Sequence, residues 1–514
     1  MTTDYFSLLT AGVRRRAAYC VLLFAAVCLT RIPLAPKYLY YFDSVNFALA
    51  LDQFSPALHQ PQPPGYPLYV LFIRGLHKLI PKPEHVMIAA GILTATLALA
   101  LLWLLGEAMF SPKAGFSAAM LLLLNPAFWF AGLSNQVRLW LAVGAAAVTL
   151  ACWRALTGTD GARTFLTACG LLGCTAGFRP GMALFLSPLL AVTGWRLGLG
   201  VRQLFAGALA LLATTTPWML ATVDASGGWK PYLRLLGEYA SREFSAGSLA
   251  FGASLPQAAN MLQAALIWNG LGVLSWAWAA GLLRRFPRPG LRSAILALWL
   301  APAFLFHAVI HVGDPDHTLV TVSALCLLGG AVLAEISHQL TRTGWLLANG
   351  FALAINAMLF FLPMSGLPGA MGFRAVEYVD HATRETIDAI RKLSASGPLN
   401  IVCYRCFVTH RHLSYYFPEN TVVLLREDSG AATETVPAII FERGQTRTAR
   451  MQGSEIVLAP LPRTVWVVSP HDTAARDELE SVPGMHQSGP VFWTDTAPGR
   501  RLAFGRFRLL TPPS

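Results

Sequence analysis

The stretch Arg14-Arg15-Arg16-Ala17-Ala18-Tyr19-Cys20-Val21-Leu22-Leu23-Phe24-Ala25-Ala26-Val27-Cys28-Leu29-Thr30 decides the fold class. Three arginines precede an apolar run that continues to residue 34 with no small-residue cleavage site behind it, which reads as an uncleaved membrane anchor. Further apolar stretches follow at 86–109, 114–131, 135–153, 164–178, 181–195, 203–222, 261–283, 291–311, 317–337 and 344–362. Most approach the ~20 residues that a helix needs to cross a bilayer, although 164–178 and 181–195 are short. The expected fold is mainly α: a polytopic transmembrane helical bundle of about eleven spans, followed by a C-terminal extramembrane α/β domain.

Composition agrees. Of 514 residues, 54% are hydrophobic and 13% charged, where an ordinary soluble protein carries about 25% charged residues. Mean hydropathy is +0.50. So much apolar surface cannot be hidden in one soluble core, so most of it must face lipid. The net charge of +12 does not argue for nucleic acid, because the basic residues are spread through loops between apolar runs. Arg14-Arg15-Arg16, Lys113, Arg154, Arg163, Arg196, Arg202, the Arg284-Arg285-Phe286-Pro287-Arg288 turn and Arg342 fall on one side of the alternating spans. The short loops opposite hold only Arg138, Arg179 and the cation-free His311-Val312-Gly313-Asp314-Pro315-Asp316. The positive-inside rule then makes the N-terminus cytoplasmic, and an odd number of spans puts the C-terminus outside.

This topology gives a membrane module over 1–365 with two long external loops, 35–85 and 223–260, and an external domain over 366–514. The first loop contains a surface-lying helix expected over 66–79. The second mixes Trp229, Lys230, Tyr232, Arg234, Tyr239 and Arg242, a composition suited to a membrane interface. From about residue 375 the composition turns soluble. Residues 377–392 read as an amphipathic helix, Leu399-Asn400-Ile401-Val402 and Thr464-Val465-Trp466-Val467-Val468 as strands, and 491–510 as a terminal hairpin.

The candidate site residues gather on the external face. Asp43, in Tyr40-Tyr41-Phe42-Asp43-Ser44-Val45-Asn46, follows the first span. A carboxylate retained at the lip of a membrane bundle is a functional candidate by default, and it suits removal of a proton from an acceptor hydroxyl or amine. It also suits the cap of a helix starting at Ser44. His59-Gln60-Pro61-Gln62-Pro63-Pro64-Gly65-Tyr66-Pro67 supplies His59 and a turn that reads more as shape than as chemistry. Arg138, Arg179, Lys230 and Arg234 are cations that could grip a phosphate, arginine by paired charge-assisted hydrogen bonds. Arg138 and Arg179 could equally snorkel to lipid headgroups. Asp314, Asp316 and His317 complete the set, with simple turn formation as the alternative for the two acids flanking Pro315.

Cysteines add little. Cys20, Cys28, Cys152, Cys169, Cys174 and Cys326 lie in apolar stretches and read as small hydrophobes. Cys403-Tyr404-Arg405-Cys406 with His410 and His412 has the wrong spacing for the usual long-spaced zinc finger, so a local disulfide or two inert thiols is expected there. No metal and no cofactor is assigned.

In its order of motifs the chain resembles the GT-C superfamily of polytopic glycosyltransferases, near the protein O-mannosyltransferases and the bacterial aminoarabinose transferases. The order is an N-terminal span, Phe42-Asp43-Ser44, then Pro63-Pro64-Gly65-Tyr66-Pro67-Leu68-Tyr69 and a second span. Ser111-Pro112-Lys113, Leu124-Asn125-Pro126-Ala127-Phe128-Trp129-Phe130, Asn135-Gln136-Val137-Arg138, Gly177-Phe178-Arg179-Pro180 and Gly313-Asp314-Pro315-Asp316-His317 follow. The likeness covers roughly residues 15–340, and the C-terminal domain resembles those appended to bacterial relatives. It implies transfer of a hexosyl or pentosyl unit from a polyprenyl-phosphate donor to a lipid, glycan or protein acceptor, on the non-cytoplasmic side of a bacterial inner membrane. It also implies Asp43 as base or acceptor-positioning group, and Arg138 and Arg179 on the donor phosphate. Two departures stand out: Gln62 occupies the place where many relatives put histidine or lysine before the paired prolines, and Ser44 replaces a second acid. The competing expectation is a transporter or flippase of lipid-linked sugar, which would show internal repeats and charges near the bilayer midplane.

Overall fold

The computed structural model describes residues 2–134, 136–285, 290–339, 341–362, 372–404, 408–425, 438–442, 445–449, 455–457, 461–495, 501–503 and 509–510. It divides into two compact units: Met1–Pro36 with Ala50–Val376, and Lys37–Leu49 with Glu377–Ser514. The second unit therefore takes in the segment around Asp43 as well as the C-terminal domain.

The first unit is helical. Its order is α1 (Thr2–Arg31), α2 (Phe42–Asp52, in which the division falls), α3 (Pro67–His77), α4 (Pro83–Met109), α5 (Pro112–Leu123), α6 (Pro126–Leu133), α7 (Leu139–Thr157), α8 (Gly161–Phe178) and α9 (Gly181–Arg196). There follow α10 (Val201–Ala225), α11 (Trp229–Ser245), α12 (Leu255–Gly270), α13 (Leu291–Val309), α14 (Leu319–Gln339) and α15 (Arg342–Phe361). Among the described residues, seven segments are long and apolar enough to cross a membrane: Arg16–Leu34, Pro83–Met109, Gln136–Thr157, Val201–Ala225, Leu291–Val309, Pro315–Ile336 and Arg342–Phe361. An eighth is possible if α5 and α6, bent by 56°, form one broken span.

Three of the expected stretches are short or divided. α8 and α9 have 18 and 16 residues, and the stretch at 261–283 is split between α12 and a 3-10 segment, Ala277–Arg285.

Local chemistry explains the breaks. Pro126 cannot donate a backbone hydrogen bond, so it opens a new helix instead of continuing α5. Asn125 caps that helix, its side-chain oxygen accepting from Ala127 N at 3.1 Å and Phe128 N at 3.4 Å. Its amide donates to Leu271 O at 2.9 Å. On the other side of the bend the fully buried Arg31 donates to Leu123 O at 2.8 Å, an end carbonyl of α5. Helices approach closely where side chains are small: a Cβ on Gly106 would lie 2.6 Å from the Cα of Gly115, which ties α4 to α5 in the manner of membrane bundles. α14 is the most enclosed span and α10 among the most exposed, with Phe205, Leu209 and Leu212 facing outward as a lipid-contacting helix requires.

The second unit is an α/β domain. α16 (Phe373–Ser394), which begins in the first unit, α17 (His410–Tyr416) and α18 (Thr473–Glu480) accompany β1 (Asn400–Tyr404), β2 (Thr421–Leu425), β3 (Ala438–Glu442), β4 (Gln445–Ala449) and β5 (Glu455–Val457). β6 (Arg463–Val468), β7 (His486–Ser488), β8 (Val491–Asp495), β9 (Arg501–Ala503) and β10 (Leu509–Leu510) complete it. The main sheet runs β4-β3-β2-β1-β6-β8-β7, with β1 parallel to both β2 and β6 and the outer pairs antiparallel. Ile387, Ile390, Ile401, Leu413, Val422 and Val465 lie in its core. The stretch at 491–510 is divided between two sheets: β8 pairs with β6 and β7, whereas β9 pairs with β5 and β10. Cys403 is disulfide-bonded, and Cys406 lies outside the described residues.

Candidate functional site

A cavity of about 230 Å³ opens in the first unit, lined in part by Tyr66, Arg179, Glu243, His307, His311 and His317. Phe185, Phe244 and Phe306 give it apolar walls.

Arg179 reaches the cavity because of its neighbour. A residue before proline is pushed from helical to extended backbone, and Arg179, before Pro180, sits at φ −147°, ψ 98° at the end of α8. Its guanidinium lies over the Tyr66 ring, 5.1 Å from the centroid, and makes no ion pair among the described residues. Tyr66 is in turn set by the proline-rich turn. Gly65 takes φ +107°, open to glycine at little cost, and Tyr66 takes φ 46° at the start of α3. Tyr232 on α11 donates to Pro64 O at 3.1 Å and holds the turn from the other side. The turn thus brings Pro64 and Tyr66 to the cavity lining.

Behind His317 lies a buried polar cluster where α7 and α14 begin. Arg138 ends a 3-10 turn, Gln136–Arg138, and Asp316 and His317 sit in another, Pro315–Thr318. Arg138 donates through Nη1 to Asp316 Oδ1 at 2.5 Å and through Nη2 to Asp314 Oδ2 at 3.5 Å. Both the Asp316 carboxylate and the Arg138 guanidinium are withdrawn from solvent, while Asp314 is about two-fifths exposed. His317 Nδ1 accepts from the backbone N–H of Asp314 at 2.9 Å and lies 2.8 Å from Arg138 Nη1. Two donors on Nδ1 leave the proton of the neutral ring on Nε2. The cavity therefore meets an imidazole held as a hydrogen-bond donor.

His311 is also neutral near pH 7. Burial lowers its pKa, and the nearby Arg138 and Arg179 lower it further, against the raising effect of the Glu243 carbonyl and Asp314.

Arg138, Asp314, Asp316 and His317 form one cluster, and Arg179 shares the cavity wall with His317. Arg138's fork is already occupied by two carboxylates, so its chemistry here is to hold the turn that carries His317. Lys230 and Arg234 are exposed on α11, with Arg234 paired to Glu238 at 2.8 Å, while Tyr239, Glu243 and Phe244 of the same helix line the cavity. His59 ends a 3-10 turn at φ 55°, half-buried and outside the cavity lining. Asp43 belongs to the second unit, where it lies in the first turn of α2, which starts at Phe42 rather than Ser44.

Tyr66, Glu243, His307 and His311 escaped the sequence reading as site residues. The signal that could have found two of them is histidine at 307 and 311, one helical turn apart in an otherwise apolar stretch. Ligand atoms of Asp314, Asp316 and His317 lie within 4.8 Å of one another, close enough to share a metal ion. Arg138 sets one positive charge against these two carboxylates, and His317 Nδ1 is engaged by the Asp314 N–H.

No family model and no curated protein matches the chain. Among solved structures it is similar to ArnT from Cupriavidus metallidurans bound to undecaprenyl phosphate, with a TM-score of 0.57 at 14% identity over 95% of this chain and 98% of that one. The apo form of that protein gives 0.54 at 16% identity, over 93% and 98%. The apo oligosaccharyltransferase of Archaeoglobus fulgidus gives 0.42 at 13%, over 78% and 63%. At these identities the likeness to ArnT is one of fold alone, a fold shared along nearly the whole length of both chains.

Proposed function

We propose that this protein transfers a hexosyl or pentosyl unit from a polyprenyl-phosphate donor to a lipid, glycan or protein acceptor, on the non-cytoplasmic face of a bacterial inner membrane. The observation that carries the reading is Arg179, a cavity-lining guanidinium without an ion pair among the described residues. It stands in a fold shared along nearly the whole chain with a protein solved with undecaprenyl phosphate bound. A guanidinium fork matches a phosphate bidentately, and the donor N–H of His317 adds a second contact beside it. The topology that goes with this reading has about eleven spans, counting the short α8 and α9 and the divided stretch at 261–283. Its N-terminus is cytoplasmic and its C-terminal domain external.

Asp43 is the proposed base. It takes the proton from the acceptor hydroxyl or amine as the freed lone pair attacks the anomeric carbon. The bond from that carbon to the phosphate oxygen breaks, and its electron pair leaves with the polyprenyl phosphate. A positioned general base contributes about 10²–10⁴-fold in rate, and the Arg179 guanidinium on the phosphate favours its departure. Asn caps a helix about as well as Asp but cannot take the proton. Purified Asp43→Asn protein should therefore bind a polyprenyl-phosphate sugar normally and lose nearly all transfer, measured with a labelled sugar. Turnover close to wild type would remove Asp43 from the mechanism. Wild-type protein that moves the lipid-linked sugar across vesicles without transferring it would favour the transporter or flippase reading.

A further inference from the structure

The segment Lys37–Leu49, which carries Asp43, is more than three hundred positions from the C-terminal domain in sequence and yet belongs to the same compact unit. The contacts that join them are specific. Asp380 of α16 accepts through one oxygen from the backbone N–H of Lys37 at 2.7 Å and of Tyr38 at 3.0 Å. The hydroxyl of Tyr416 on α17 accepts from Leu39 N at 3.0 Å, and its ring meets Tyr38 edge-on at 5.5 Å. His412, buried on α17, donates from Nε2 to Leu39 O at 2.9 Å, and its Nδ1 lies 2.9 Å from the Thr409 hydroxyl. One residue before Asp43, the Phe42 ring lies 5.6 Å from that of His410 and 5.9 Å from the Arg411 guanidinium, which is itself buried. Three consecutive residues are thus gripped by their backbones and a fourth by its ring.

We infer that the C-terminal domain is a clamp that sets the position of Asp43, with Asp380, His412 and Tyr416 as positioning residues for the transfer reaction. The backbone of a surface segment with few internal hydrogen bonds samples many positions, and catalysis tolerates little of that freedom. A misplacement of about 1 Å can cost about a hundred-fold in rate. Backbone grips are insensitive to the side chains of residues 37–39, so the clamp holds the chain path itself. A charged acceptor shared by two adjacent N–H groups is the strongest of them. The inference rests on the reading of Asp43 as the base.

The test compares full-length Asp380→Ala, Asp380→Asn and Tyr416→Phe with wild type and with Asp43→Asn, following transfer from a polyprenyl-phosphate sugar. Asp380→Ala should lower kcat by about ten- to a hundred-fold with the donor KM unchanged. Asp380→Asn keeps an accepting oxygen and should recover most of that loss. Tyr416→Phe keeps the ring contact with Tyr38 but leaves Leu39 N–H without its acceptor, and should show a smaller fall in kcat. Hydrogen exchange at residues 37–39 should quicken in the same order. If Asp43→Asn is inactive while Asp380→Ala and Tyr416→Phe both keep wild-type kcat, the clamp is overturned and the base stands. Should Asp43→Asn itself remain active, the base assignment fails and the clamp's catalytic role goes with it. A donor KM that rises with unchanged kcat would also overturn the inference.

Discussion

Arg179 is extended because Pro180 follows it, and that bend in the chain is what puts a guanidinium on the cavity wall above Tyr66. If it holds the donor phosphate, lysine cannot replace it, since a point charge does not reproduce a two-pronged contact. A hydrogen bond to a charged group contributes about 1.5–3 kcal/mol. Arg179→Lys should weaken donor binding by roughly ten- to a hundred-fold with the fold intact, measured by titration of a polyprenyl phosphate. Unchanged affinity would return Arg179 to the lipid-headgroup role. His412 supports a second prediction, this time on pH. Burial lowers its pKa from 6.5 to about 4, against the raising effect of its backbone contacts at Leu39 and Tyr40. The unfolded chain takes up this proton as pH falls through about 6.5, whereas the folded unit resists it until about 4. The stability of the C-terminal unit is therefore full above pH 6.5 and is lost as pH falls through that window. The loss is of the order of 3 kcal/mol from this residue. The protection of β1 amides, with the intrinsic pH dependence of exchange divided out, should fall between pH 7 and 5 in the wild type and change less in His412→Gln.

At the scale of elements, α7 and α14 are joined at their first turns by Arg138 and Asp316. The pair is buried, so removing one partner strands the other, a loss that typically destabilises by about 3–5 kcal/mol. Asp316→Ala should lower the unfolding midpoint of the detergent-solubilised protein markedly, while Asp314→Ala, at the exposed 3.5 Å contact, should do so much less. Equal effects would mean that the two carboxylates share the charge of Arg138. The break between α5 and α6 follows the same logic of polar groups satisfied on purpose. Asn125 caps one helix and Arg31 engages an end carbonyl of the other. A Pro126 that looks like a defect in an apolar run is the site of a designed bend.

For the whole molecule the agreement in fold with ArnT extends along almost the full length of both chains. Orientation is the testable part. If the N-terminus is cytoplasmic and the C-terminal domain external, green fluorescent protein fused after Ser514 should stay dark, and an alkaline phosphatase fusion there should be active. Bright fluorescence from that fusion would overturn the eleven-span topology and the external placement of the site with it. α8, α9, the divided 261–283 and the bent α5–α6 pair together decide the parity, and fusions in the loops beside them would resolve which of them cross.

Several features were legible in the chain alone. Long apolar runs without charges must become lipid-facing or mutually packed helices, because their backbone groups have no other partners in a bilayer. The short apolar, β-branched runs at 399–402 and 464–468 likewise forecast β1 and β6, now seen side by side in parallel. Pro180 and Gly65 announced local turns through their own backbone restrictions. What the chain could not disclose is pairing across distance. Whether Arg138 faces lipid, phosphate or carboxylate depends on Asp316, 178 positions away. Nothing local to Tyr66 says that Arg179 will lie over it. Which face of α11 turns to the cavity was equally hidden, since Lys230 and Arg234 read as ligands until Tyr239 and Glu243 took that side. The grouping of residues 37–49 with a domain that begins after residue 376 is the largest such case. Periodicity and backbone restriction act over a few residues and are written in the sequence; charge pairing and backbone clamping act through space, and only the folded chain brings their partners together.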